Sequence, residues 1–96
     1  MTFKQHVRVE TAHPARFMKQ LCRHFAHKIP AEFDDERGSI VFSDGRCDLS
    51  VEPETLVLVA SGETPEGAAH VADVIARHLV RFGFRSGLEV TFAPVA

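Results

Sequence analysis

The chain predicts an α+β fold, a two-layer sandwich in which a mainly antiparallel sheet carries two helices on one face, in the order β-α-β-β-β-β-α-β. Three observations predict it. Apolar residues recur at helical spacing in two separate segments, period-two alternation fills the stretches around them, and two short turn signals fold the centre of the chain into a meander. A doubly wound α/β fold needs helices alternating with strands, which a run of four successive strands denies.

Phe3, Val7 and Val9 alternate with Lys4, His6, Arg8 and Glu10, the pattern of a strand with one wet face. Pro14 suits the first position of a helix with Thr11 or His13 near its cap. Phe17, Met18, Leu21, Cys22, Phe25 and Ile29 then repeat on one face until Pro30 stops it. A short strand follows over Ala31–Asp34. Asp44-Gly45 signals a two-residue hairpin of type I′, which sets Phe42 opposite Cys47 and Ile40 opposite Leu49. A second turn at Pro53-Glu54 sets Leu49 opposite Leu58 and Val51 opposite Leu56, so both turns agree on one apolar inner face.

The outer face of that meander carries Arg46, Asp48, Ser50 and Glu52, and also Val41, Val57 and Val59, which the pattern expects to be neighbours. Such a strip is either ordinary exposed surface or the contact of a homodimer. Thr64-Pro65 opens the second helix, whose inward stripe is Ala68, Val71, Val74, Ile75, His78, Leu79 and Phe82. Gly83 followed by Phe84 reads as a Schellman-type cap, Leu88, Val90 and Phe92 as the inward residues of a last strand, and 93–96 as a frayed tail.

Ninety-six residues, with 45% apolar side chains and eight phenylalanines, suffice for one domain with one core. The net charge of -2 gives no global attraction to nucleic acid or anionic lipid, and without Tyr or Trp the chain lacks stacking residues for single strands. No run approaches the ~20 apolar residues of a membrane span. Only two cysteines, far apart in sequence, agree with a reducing compartment, so the expected location is the cytoplasm. No glycine-rich phosphate loop follows a strand.

Chemistry concentrates in His13–Pro30, which holds three histidines and four fixed cations without an acid. On a helical wheel His13, Gln20, His24 and His27 share a stripe bordering the apolar face, and His24 and His27, at i and i+3, can both reach one metal ion or one anion. Two imidazoles need a third protein ligand for a zinc or iron centre, and no HExxH or CxxC supplies it. The plainer reading is a basic helix surface. His78 lies within the apolar stripe of the second helix, either as a core histidine bonded to a carbonyl or hydroxyl, or as a ligand or general base. Cys22 and Cys47 point inward, as packing thiols or, in the enzyme alternative, with Cys47 as nucleophile.

The segments RFMKQLCRHFAHKI, GRCDL and RHLVRFGFR resemble a family of small bacterial proteins catalogued as domain of unknown function 2218. The resemblance implies a domain that occurs alone or joined to siderophore-interacting flavin reductases, hence near iron handling, and implies no particular reaction. Residues carried by it are His13, Arg16, Gln20, Leu21, Cys22, His24, His27, Gly45, Arg46, Cys47, His78, Arg81, Phe82 and Phe84. The functional expectation is a ligand- or metal-binding accessory module. Its candidate ligand-binding residues are His13, Arg16, Gln20, His24, His27, Arg46 and His78, with His24 and His27 as metal ligands. The alternatives are a homodimeric interaction module and a small enzyme.

Overall fold

Alternation along the first strand, β1 (Phe3–Glu10), is realised as a buried Val9 and half-buried Phe3, Gln5 and Val7 between exposed neighbours. The computed structural model describes residues 1–95 and continues with α1 (Pro14–Ala26), β2 (Ala31–Phe33), β3 (Arg37–Phe42), β4 (Gly45–Glu52), β5 (Thr55–Gly62), α2 (Pro65–Phe82), a single 3-10 turn at Phe84–Ser86 and β6 (Ala93–Pro94). All pairings are antiparallel, and the sheet order is β2-β3-β4-β5-β1-β6. The predicted α+β sandwich is thus the fold of the chain.

α1 lies over β2, β3 and β4, while α2 lies over β5, β1 and β4. Phe17, Met18, Leu21 and Cys22 from α1 meet Val71, Ile75 and Leu79 from α2 above Ile40, Cys47, Leu49, Leu56 and Leu58 of the sheet, all of them buried. Each buried aliphatic or aromatic side chain there stabilises the fold by about 1.5–3 kcal/mol before entropy is counted. No helix among the described residues is long and apolar enough to cross a membrane.

The first turn of the meander departs from expectation by two residues. Phe42 faces Gly45, so Ser43 and Asp44 are the central pair, and Ile40 faces Cys47 while Gly38 faces Leu49. Neither central residue has the positive φ of a type I′ turn. Gly45 serves another need: a Cβ there would overlap the Ser61 carbonyl oxygen and press on Val71. The second turn is as predicted, with Leu49 facing Leu58, Val51 facing Leu56, and Pro53 followed by Glu54 at φ 52°.

Two other expectations are corrected. Gly83 has φ -98°, so it is not a left-handed cap. Its Cβ position is filled by Leu88, and the left-handed residue is Gly87, at φ 64° after the 3-10 turn. Residues 88–92 form no strand: Leu88, Val90 and Phe92 do pack against the core, but without a ladder. The strand comes just after, where the tail was expected, as Ala93 and Pro94 pair with His6 and Gln5. Pro94 is tolerated because this is an edge strand. Ala96 lies outside the described residues.

The valines of the open face do not form one strip. Val57 and Val59 are successive outward residues of β5. Val41 stands on β3, with β4 between, and its cross-strand partner is Arg46.

Candidate functional site

The last turns of α1 and the C-terminal half of α2 bring two histidines together. The rings of His24 and His78 have centroids 5.0 Å apart, with Phe25 4.8 Å from His78 and Phe82 5.5 Å from His24. Phe42, the last residue of β3, meets Phe25 at 5.4 Å and supports the group from the sheet. Helical spacing explains the local geometry. Phe25 faces the core and brings the neighbouring His24 to the boundary, while His78 and Phe82, at i and i+4, meet edge to face along the border of α2.

His78 is half-buried, and its Nδ1 donates a hydrogen bond to the Val74 carbonyl at 2.7 Å. This is the carbonyl-bonded arrangement anticipated for a histidine in an apolar stripe. In the neutral ring that bond places the proton on Nδ1 and leaves Nε2 as an acceptor or ligand atom. His24 is exposed at its outer edge. Desolvation against its neighbours, then the like charges of His78, His27, Lys28 and Arg81, hold its pKa below the ordinary imidazole value. Among the described residues no carboxylate contributes to that balance, so the junction is a cluster of bases from two helices.

The other sequence candidates are spread over the molecule. His13 caps the opposite end of α1, where its backbone N–H donates to Thr11 Oγ1. Eleven residues of helix put it about 16 Å from His24. Arg16 stands over the Phe17 ring at 5.1 Å, and Gln20 is exposed one turn before His24. Arg46 projects from the open sheet face, bonded to Asp48 at 2.8 Å, on the side away from both helices. The structure therefore joins His24 and His78, keeps His27 beside them, and separates His13, Arg16 and Arg46. Among the described residues no group of three or more His, Cys, Asp or Glu side chains is placed to hold a metal ion.

Cys22 and Cys47 are fully buried. Burial pushes the Cys22 thiol up to about 11, and burial together with Asp48 pushes Cys47 up further. Their sulfurs lie 3.9 Å from the Glu32 carbonyl and 3.8 Å from the Asp48 carbonyl, weak contacts of protonated thiols. A nucleophile needs the thiolate, which these surroundings suppress. Sequence reasoning left Lys28 on the general polar side of α1 and did not connect Arg81 with His24. The spacing of Arg81 three residues after His78 was the available signal for the latter.

A six-stranded antiparallel sheet with two helices on one face and a histidine pair at the helix junction defines a small two-layer α+β domain. The chain belongs to the family described as uncharacterized protein conserved in bacteria, DUF2218, whose model matches residues 6–92. The three segments that carried the resemblance all fall within that match. Among solved structures, the chain is similar to the NMR structure of PA4090 from Pseudomonas aeruginosa, with 33% identity over 97% of this chain and 95% of that one and a TM-score of 0.75. No curated protein matches the chain.

Proposed function

We propose that this bacterial domain is an accessory module that binds an anionic ligand, an anionic metal chelate in particular, where His24 of α1 meets His78 of α2. The observation that carries the reading is the 5.0 Å approach of the two rings inside a cluster of bases with no acid among the described residues. Lys28 and Arg81 repel a bare metal cation and attract an anion. A chelated metal brings its own oxygen ligands, so it asks of the protein only one or two imidazole nitrogens, and His78 Nε2 is the better prepared of the two. Phe25 and Phe82 supply the apolar wall that makes those contacts stronger than they are in water. The link to iron handling rests on the family resemblance alone.

The test is a nitrogen-15 NMR titration of the imidazoles with gallium citrate, a diamagnetic stand-in for ferric citrate, beside citrate alone and zinc alone. Gallium citrate should shift the ring nitrogens of His24 and His78 and leave His13 unmoved, with citrate weaker and zinc without effect. A His24→Ala/His78→Ala variant should lose the response. Absence of any shift at either ring, or an equal response in that variant, would end the reading.

A further inference from the structure

The outward face of α1 carries cations and no acid. Arg16, Gln20 and Arg23 follow at i, i+4 and i+7, all exposed, so they share one line along the helix with the two arginines about 10 Å apart. Both guanidinium groups are seated on aromatic rings. Arg16 Cζ lies 5.1 Å from the centre of the Phe17 ring, and Arg23 Cζ lies 5.4 Å from that of Phe33, which reaches α1 from β2. Such a seat restricts a long side chain before any partner arrives, so less freedom is lost on binding.

Neither arginine makes an ion pair or a side-chain hydrogen bond among the described residues. Four other surface cations are each held by an acid: Arg8 by Glu52, Lys19 by Asp35, Arg46 by Asp48 and Arg77 by Asp73. The Lys19 pair bears on what can dock. Lys19 belongs to the same helix, and its 2.8 Å bond to Asp35 keeps the acidic run Asp34-Asp35-Glu36 beside the basic line. That run repels a densely charged polymer or an anionic membrane, and the buried Phe17 offers nucleic acid no stacking face. A peptide with a few carboxylates avoids that repulsion, and planar guanidinium groups bind carboxylates through two parallel bonds.

We propose that the outward face of α1 docks an acidic peptide segment of a partner protein, Arg16 and Arg23 each taking one of its carboxylates with the Gln20 amide between them. The contact needs neither His24 nor His78 and stands apart from ligand binding.

Nitrogen-15 NMR of the whole protein tests it, read at the arginine Nε–H and backbone amide signals. The probe is a blocked hexaglutamate peptide, with its glutamine counterpart, hexathymidylate and phosphatidylglycerol vesicles alongside. Hexaglutamate should shift Arg16, Arg23 and the amides around Gln20, less so as salt rises, and leave Arg46 unmoved on the far side of the sheet. The glutamine peptide should have no effect. Arg16→Gln/Arg23→Gln should lower the affinity for hexaglutamate about tenfold, while His24→Ala/His78→Ala should leave it unchanged. Both arginines are exposed, and the amide spectrum of the variant itself shows whether its fold is kept. Absence of any shift along α1 would overturn the proposal, as would equal affinity in the arginine variant. So would a response confined to the surroundings of His24 and His78, which assigns the peptide to the helix junction, or tighter binding of hexathymidylate or the vesicles to the same face.

Discussion

Gly45 follows a turn whose sequence looks made for left-handed backbone, yet its φ is not positive, and what it provides is space beside the Ser61 carbonyl and Val71. The two roles separate by substitution. Asn is tolerated where left-handed φ is the requirement but not where a Cβ has no room, so Gly45→Asn and Gly45→Ala should each cost about 2 kcal/mol or more in urea unfolding, while Gly87→Asn should cost well under about 1 kcal/mol. His24 makes the second residue-scale case. Its folded pKa lies below the ordinary imidazole value, so in the window between the folded and unfolded values the unfolded chain binds more protons. Its contribution is complete above about pH 6.5 and is lost as pH falls through the folded value. The urea midpoint should fall between about pH 7.5 and pH 5.5 in the wild type, and fall less in His24→Gln, where the group no longer titrates.

At the scale of elements, the start of α2 was legible in sequence and its cause is visible. Thr64 Oγ1 accepts the Gly67 N–H at 2.9 Å, and Thr64→Ala should cost about 1 kcal/mol by urea denaturation, with Thr64→Ser recovering most of it. The inner face of the meander was legible too, because alternation reports which way a side chain points. It does not report the partner opposite. A shift of two residues at the Ser43-Asp44 turn keeps Ile40 and Cys47 inside, so the pattern was equally satisfied by the wrong pairing and alternation alone does not choose between them. The same limit explains Leu88, Val90 and Phe92. Their alternation correctly placed them against the core, and the ladder formed one step later, at Ala93 and Pro94.

For the molecule as a whole, a helical wheel put His13, Gln20, His24 and His27 on one stripe, but a stripe runs the length of α1 and a site does not. What selects His24 from that row is α2, whose His78 and Phe82 arrive from more than fifty residues away in sequence. No local pattern encodes that meeting, although the boundary position of each histidine on its own helix was readable. The open sheet face is similar: its alternating polar and apolar residues were visible, whereas the separation of Val41 from Val57 and Val59 required the strand order.

That strand order carries a further consequence for how the protein can be handled. β1 is first in the chain but lies inside the sheet, between β5 and β6. Loss or displacement of its eight residues would strip one whole side of β5 of its backbone partners and leave Leu56, Val57, Leu58, Val59 and Ala60 as a bare apolar edge. An edge of that composition recruits strands from other chains. Amino-terminal trimming into this segment therefore leads to aggregation instead of a smaller stable domain, while tags placed ahead of Phe3 meet no such hazard from the sheet.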